Sequence, residues 1–290
     1  MSYDILVASA SRPHLLYPTL RTLLSNVDIP PARIIVHDDA AFAGKYPAIL
    51  AAIEAAKSEA HCNARTLVEH NDPPILHGPA LYRLLSQCES EYALYTQDDH
   101  VVVRALPISD ALQVMHAHGF NHVRFNKRDT MPYKETWQGR WYKVPMQFEV
   151  IDKFDDGLGN QSRLVTLTIS DHWHFQTSLW RVAHIRAVVD WFMNDFRESV
   201  SFHEHCEMKI NNAMNGNVPR FPPLITMPPS DLPQGRRERD QSTRAKYQRT
   251  FIWGGIDEKA YIKHIGGKPE DWALPHPRAE YDGRAHEESA

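Results

Sequence analysis

The sequence predicts an α/β fold: a mostly parallel central sheet with helices on both faces, followed by a less regular second half. Three observations carry this. Short apolar runs alternate four times with segments of helical period within the first ~100 residues. Each of those runs ends in polar residues. Beyond residue 105 the alternation loses its regularity.

Taken in order, Asp4-Ile5-Leu6-Val7-Ala8-Ser9 is a compact apolar run suited to a strand buried on both faces, broken by Ser11-Arg12-Pro13. Leu16, Leu20, Leu23 and Leu24 recur at helical spacing until Pro30-Pro31. Residues 33–39 form a second strand ending in Asp38-Asp39, and residues 46–58, rich in Ala, Ile and Leu, a second helix. Thr66 to Glu69 is a short third strand closed by Asp72-Pro73-Pro74. A third helix over 78–88 carries Leu81, Leu84 and Leu85 on one face, and Tyr92 to Thr96 is the fourth strand. Helices are expected over 108–118, 180–196 and 204–214, and a strand over 122–126. From about residue 217 repeated prolines leave little room for regular structure.

Right-handed crossovers put the carboxyl ends of parallel strands on one edge of the sheet, where ligands bind. Four chain-distant clusters should therefore meet there: Ser9 to Arg12, His37 to Asp39, Glu69 to Asp72, and Gln97 to His100.

Composition narrows the class of activity. The chain has 290 residues, 42% hydrophobic and 23% charged, with a formal net charge of −4. So near-neutral a balance argues against a whole-protein electrostatic grip on nucleic acid. Cys62, Cys88 and Cys206 are odd in number and form no CxxC, against a disulfide framework or structural zinc and in keeping with a reducing, cytoplasmic setting. No stretch approaches 18 consecutive apolar residues, so no membrane span is expected.

Asp98 and Asp99 carry the first chemical signal. Two adjacent carboxylates at a strand's end are costly without positive charge nearby. Their oxygens suit Mg²⁺ or Mn²⁺, ions that also bind diphosphates. The bland reading is a cap or a solvated turn. His172 and His174 lie on one face if their segment is a strand, suiting a shared site or merely a half-buried surface. Two histidines and two acids crowd Ser201 to Glu207, but no HExxH is present and His203 and His205 do not share a helical face. Arg236, Arg237, Arg239, Arg244, Lys246 and Arg249 read three ways: a solvated face, a loop closing over a diphosphate, or a contact for a nucleic-acid backbone. Phe251-Ile252-Trp253 follows, either an anchor for that loop or a surface that stacks on a sugar.

Over residues 3–104 this layout resembles a GT-A fold (Rossmann-type) glycosyltransferase of the family-2-like group. The Arg-Pro turn after the first strand, acids ending the second, and Gln97-Asp98-Asp99 in the place of a DxD motif carry the resemblance. Gln97 departs from that motif's first acid. The resemblance implies a nucleotide-diphosphate sugar donor contacted by Ser9, Arg12, Asp38 or Asp39 at the nucleobase, Gln97 and Asp98. It implies a divalent cation, Mn²⁺ or Mg²⁺, on Asp99 with Asp98, and a histidine from the second half, His174 or His172, completing the metal sphere. In an inverting member Glu204 would serve as general base toward the acceptor hydroxyl; a retaining one needs no such base. Asp99 and Glu204 are thus the expected catalytic pair.

The expected organisation is a nucleotide-sugar-binding half over 1–105, an acceptor-side half over 106–230, and a basic loop with a C-terminal extension over 231–290. The acceptor is open: a glycan, a small molecule, a protein or a hydroxylated DNA base. A nucleotidyltransferase is the chemical rival, disfavoured because Ser9 to His14 lacks glycine. A non-catalytic carbohydrate- or nucleic-acid-binding protein is the other.

Overall fold

The computed structural model describes residues 1–39, 44–73, 75, 77–125, 133–137, 140–144, 148–155, 161–167, 176–196, 251–253 and 259–265. The chain runs β1 (Tyr3–Ser9), α1 (Pro13–Asn26), β2 (Arg33–Asp39), α2 (Tyr46–Glu59), β3 (Arg65–Asn71), α3 (His77–Gln87) and β4 (Tyr92–Gln97). Then come β5 (His100–Val102), α4 (Ile108–His118), β6 (His122–Phe125), β7 (Tyr133–Trp137), β8 (Arg140–Val144), β9 (Phe148–Asp155) and β10 (Gln161–Leu167). β11 (Ser178–Arg181), α5 (Val182–Phe196), β12 (Phe251–Trp253) and β13 (Ile262–His264) complete the described elements.

Nine strands form one sheet in the order β3-β2-β1-β4-β11-β6-β12-β10-β9. The β3-β2-β1-β4 half is parallel throughout. β11 enters antiparallel between β4 and β6, β12 runs parallel to β6, and β10 reverses between β12 and β9. Only β11 and β10 therefore oppose the others, and the sheet is mostly parallel as the alternation predicts. β5 pairs with β13, and β7 with β8, as two separate antiparallel pairs.

Period-2 alternation sorts the parallel strands between two cores. Tyr3, Ile5 and Val7 of β1 pack on one face with Leu16, Leu20 and Leu23 of α1, Ile49 and Ile53 of α2, and Leu112 and Met115 of α4. Leu6 of β1, Ile35 of β2 and Tyr95 of β4 face the other way, onto Leu81 and Leu84 of α3 and Ile185, Val188 and Phe192 of α5. Helices thus cover both faces.

Two expectations need correcting. The helix expected over 180–196 begins at Val182, because Trp180 belongs to β11. There the Trp180 ring stacks on Tyr95, centroids 4.3 Å apart, in the α3/α5 core. Trp253 is 1% exposed within the opposite core, so it packs the sheet and offers no sugar-stacking surface. The helix expected over 204–214 lies outside the described residues. Among the described residues, no helix is long and apolar enough to cross a membrane.

Candidate active site

The carboxyl edge of β1, β2, β3 and β4 brings the four polar clusters into direct contact. Asp38, at the end of β2, is fully buried and saturated. Its Oδ1 accepts from Ser9 Oγ at 2.9 Å and the Ser11 amide at 2.8 Å. Its Oδ2 accepts from Ser11 Oγ at 3.2 Å and His70 Nδ1–H at 2.9 Å. Ser11 sits at φ 55°, a left-handed conformation that costs a non-glycine residue about 1 kcal/mol or more. Three of the Asp38 bonds hold this turn and its neighbour, replacing the glycine a tight turn would otherwise favour. Asp39, partly exposed, accepts from the Ile75 amide at 2.6 Å.

The neighbouring acids after β4 divide their roles. Asp98 is 1% exposed and folds back under β1. Its Oδ2 accepts from the Ala10 amide at 3.0 Å and Arg12 Nε at 3.2 Å, and its Oδ1 from the second guanidinium nitrogen of Arg12. The Thr19 hydroxyl donates to its carbonyl at 2.8 Å. Burial pushes the Asp98 carboxyl above the ordinary carboxylate range, and the paired Arg12 guanidinium opposes that rise without reversing it. Asp98 is thereby bonded on both oxygens within the protein, where the expectation had it contacting donor or metal. Arg12 pairs with both acids, its Nε and one terminal nitrogen on Asp98 and the same nitrogen 3.3 Å from Asp99.

Asp99, 7% exposed, is turned toward two histidines. Its Oδ2 accepts from Arg12 at 3.3 Å and lies 3.1 Å from His264 Nε2. Its Oδ1 is buried with no hydrogen-bond partner among the described residues, and His100 Nε2 approaches it at 3.8 Å. Burial alone would raise this carboxyl. His100, Arg12 and His264 outweigh burial and hold it below the ordinary carboxylate range. The ligand atoms of Asp99, His100 and His264 all lie within 4.8 Å of one another, a spacing that fits one divalent ion. A carboxylate with one orphaned oxygen beside His100 and the other beside His264 fits such an ion better than it fits empty burial.

Of the expected site residues, the edge gathers Ser9, Arg12, Asp38, Asp39, Gln97, Asp98 and Asp99. Gln97 closes β4, partly exposed. His172, His174, Glu204 and the basic run lie outside the described residues. The sequence reading missed His264, and it missed that His70 grips Asp38. Tyr261-Ile262 before His264 hints at a short strand, but no local pattern links position 264 to position 99.

No family model and no curated protein matches the chain. Solved structures similar to it include S. aureus TarS 1–349 in complex with UDP-GlcNAc, at 13% identity and TM-score 0.49, covering 95% of this chain and 62% of that one. The mannosyltransferase PcManGT from Pyrobaculum calidifontis, in complex with GDP-Man and Mn²⁺, is similar at 17% identity and TM-score 0.38 over 44% of this chain and 36% of its own. A 4-diphosphocytidyl-2C-methyl-D-erythritol synthase from Anaerococcus prevotii is similar at 12% identity and TM-score 0.42, over 71% and 82%. A mannosyltransferase and a diphosphocytidyl-methylerythritol synthase are thus both among the similar structures, and the chain spans 62% of the length of the TarS fragment. With TM-scores below 0.5, the functional argument rests on the chain's own residues.

Proposed function

We propose that this chain is a metal-dependent glycosyltransferase, moving a sugar from a nucleotide-diphosphate sugar to an acceptor hydroxyl. The observation that carries the reading is the split between the two acids. Asp98 is consumed by Arg12, while Asp99 presents an unpartnered oxygen beside His100 and His264 at the ligand-binding edge of the sheet.

In this reading Asp99 and His264 hold the divalent cation, Mn²⁺ or Mg²⁺ by the sequence expectation. Such an ion would offset negative charge building on the departing diphosphate. His264 takes the place first expected for His174 or His172. The bond between the anomeric carbon and the diphosphate oxygen breaks, and its electron pair leaves with the nucleotide. The acceptor oxygen forms the new bond and its proton passes to a base, Glu204 if the enzyme inverts. On the nucleoside side Asp39 is the better partner than Asp38, whose oxygens are saturated. Ser9 and Arg12 act through Asp38 and Asp98, shaping the turn rather than binding the donor. The acceptor is one of the classes named above.

Calorimetry with UDP and GDP, with and without Mn²⁺, tests the reading, alongside a melting screen of nucleotide-sugars. Metal-dependent nucleotide binding and release of nucleotide diphosphate from one donor are expected, and Asp99→Asn should abolish both. Equal nucleotide binding with and without the ion, or full turnover in Asp99→Asn, would overturn it.

A further inference from the structure

Resting on the proposed cation site, we propose that His100 joins Asp99 and His264 as a third protein ligand, making a preformed site that takes a transition-metal ion in preference to Mg²⁺ before any nucleotide arrives.

Backbone pairing makes the arrangement. In the β5·β13 pair, His264 lies directly opposite His100. Residues facing each other across antiparallel strands hold their side chains on one face, with Cβ atoms about 5 Å apart. The two rings meet edge to face at 5.6 Å between centroids and 67° between planes. Asp99 precedes β5 in the turn that follows β4, and that turn swings its carboxylate toward both imidazoles. The result is one carboxylate and two imidazoles from positions 99, 100 and 264, the two histidines joined by strand pairing.

The clip that holds β13 is fixed independently of any ligand. The Ile265 amide donates to the Asp99 carbonyl at 2.9 Å, and the Val103 amide to the Tyr261 carbonyl at 2.9 Å. The Arg104 guanidinium lies 3.9 Å over the Tyr261 ring and donates to the Lys259 carbonyl at 3.1 Å. On the other side of β5, the Val102 amide donates to Thr22 Oγ1 of α1 at 3.0 Å. Ligands mounted on so braced a pair stand ready before the substrate binds.

Ion preference follows from the donor set. Mg²⁺ dehydrates reluctantly and relies on carboxylates plus substrate phosphates. Arg12 has removed the second carboxylate, Asp98, from the crevice. Mg²⁺ is left with one carboxylate oxygen and two nitrogens it binds weakly. Imidazole suits Co²⁺, Zn²⁺ and similar ions, which three protein ligands hold while positions stay open for diphosphate oxygens.

The test uses the full chain stripped of metal with EDTA and no nucleotide present. Co²⁺, Mn²⁺ and Mg²⁺ are titrated separately by calorimetry. Pulsed electron paramagnetic resonance of the Mn²⁺-loaded protein, with and without ¹⁵N-histidine, counts the coordinated imidazoles in the unsubstituted chain. One ion per chain is expected, with two imidazole nitrogens and Mg²⁺ binding weaker than Co²⁺ by more than about tenfold, the least a disturbed ligand shell costs. His100→Gln and His264→Gln should each weaken Co²⁺ by a similar factor while melting cooperatively. A single imidazole, equal affinity for Mg²⁺, or ion binding that appears only with UDP would each overturn the proposal. Those three outcomes leave the transferase reading standing. That reading fails separately, if UDP binds no better with any ion.

Discussion

Arg12 reaches across from the turn after β1 and clasps the Asp98 carboxylate with two of its nitrogens, Nε donating to Oδ2 at 3.2 Å. This pair, 86 residues apart in sequence, ties the two central parallel strands together at the edge where ligands bind. It also decides which acid remains for chemistry. Burial disfavours a charge on this carboxyl, and Arg12 and the Ala10 amide are what oppose that cost.

Removing Arg12 should therefore expose the cost of the buried charge. Arg12→Met is expected to destabilise the fold by about 3–5 kcal/mol, the range for breaking one partner of a buried ion pair. Asp98→Asn should cost less, and the double variant less than the sum of the two. Urea denaturation of all four forms gives the coupling. Additive losses would show that the pair does not act as a unit.

The acids should separate by readout. Asp99→Asn is expected to lower ion affinity by at least about tenfold, with a modest fall in melting temperature at neutral pH because its depressed carboxyl contributes stability there. Asp98→Asn should register chiefly in the melt. Calorimetry with Mn²⁺ and UDP, beside thermal unfolding, checks the split. Equal effects of both substitutions on ion affinity would contradict it.

Asp4, at the opposite end of β1, predicts an acid limb. Burial raises its carboxyl, but Arg33, Ser90, the Glu89 amide and Cys88 together win and lower it. A depressed carboxylate contributes stability above its unfolded pKa of about 3.9 and loses it as pH falls through the folded value. Asp4→Asn should thus lower stability at neutral pH and flatten the decline below about pH 4. Cys88 beside it has its thiol pushed up to about 12, burial first and Asp4 second. Native protein should therefore alkylate at the more exposed Cys62 well before Cys88.

His184, in the first turn of α5, governs a milder window. Burial foremost, with Arg181 nearby, lowers its imidazole to about 4. The unfolded chain takes up this proton near pH 6.5 while the folded one resists until about 4. Stability should fall across that interval by on the order of 3 kcal/mol, then level off. His184→Gln should remove this share of the slope, read from denaturation midpoints between pH 7 and pH 4. An unchanged slope would show that His184 is already accessible to protons.

Much of the fold was legible because its signals are local. Apolar runs and leucine spacing in residues 3–118 mark β1 to β4 and α1 to α4, each within a few residues of its observed ends. Pairing between distant segments has no such signature. β11 hides inside what reads as the start of a helix, since Ser178 to Arg181 is too short to show a period of its own. β5 and β13 are three residues each and acquire meaning only when paired. Among the site residues, the acids announce themselves by following an apolar strand. His264 does not, because nothing near it records that it will lie against Asp99.

The sequence by itself determined that polar side chains would gather at the carboxyl edge of a parallel sheet, since alternating strands and helices joined by right-handed crossovers put those ends on one edge. The tertiary structure alone decided how the adjacent acids divide: Asp98 into a buried clasp with Arg12, Asp99 into a cluster with two histidines. Adjacent residues are chemically alike in sequence, and only the three-dimensional position of their neighbours fixes which charge is neutralised and which is left to bind.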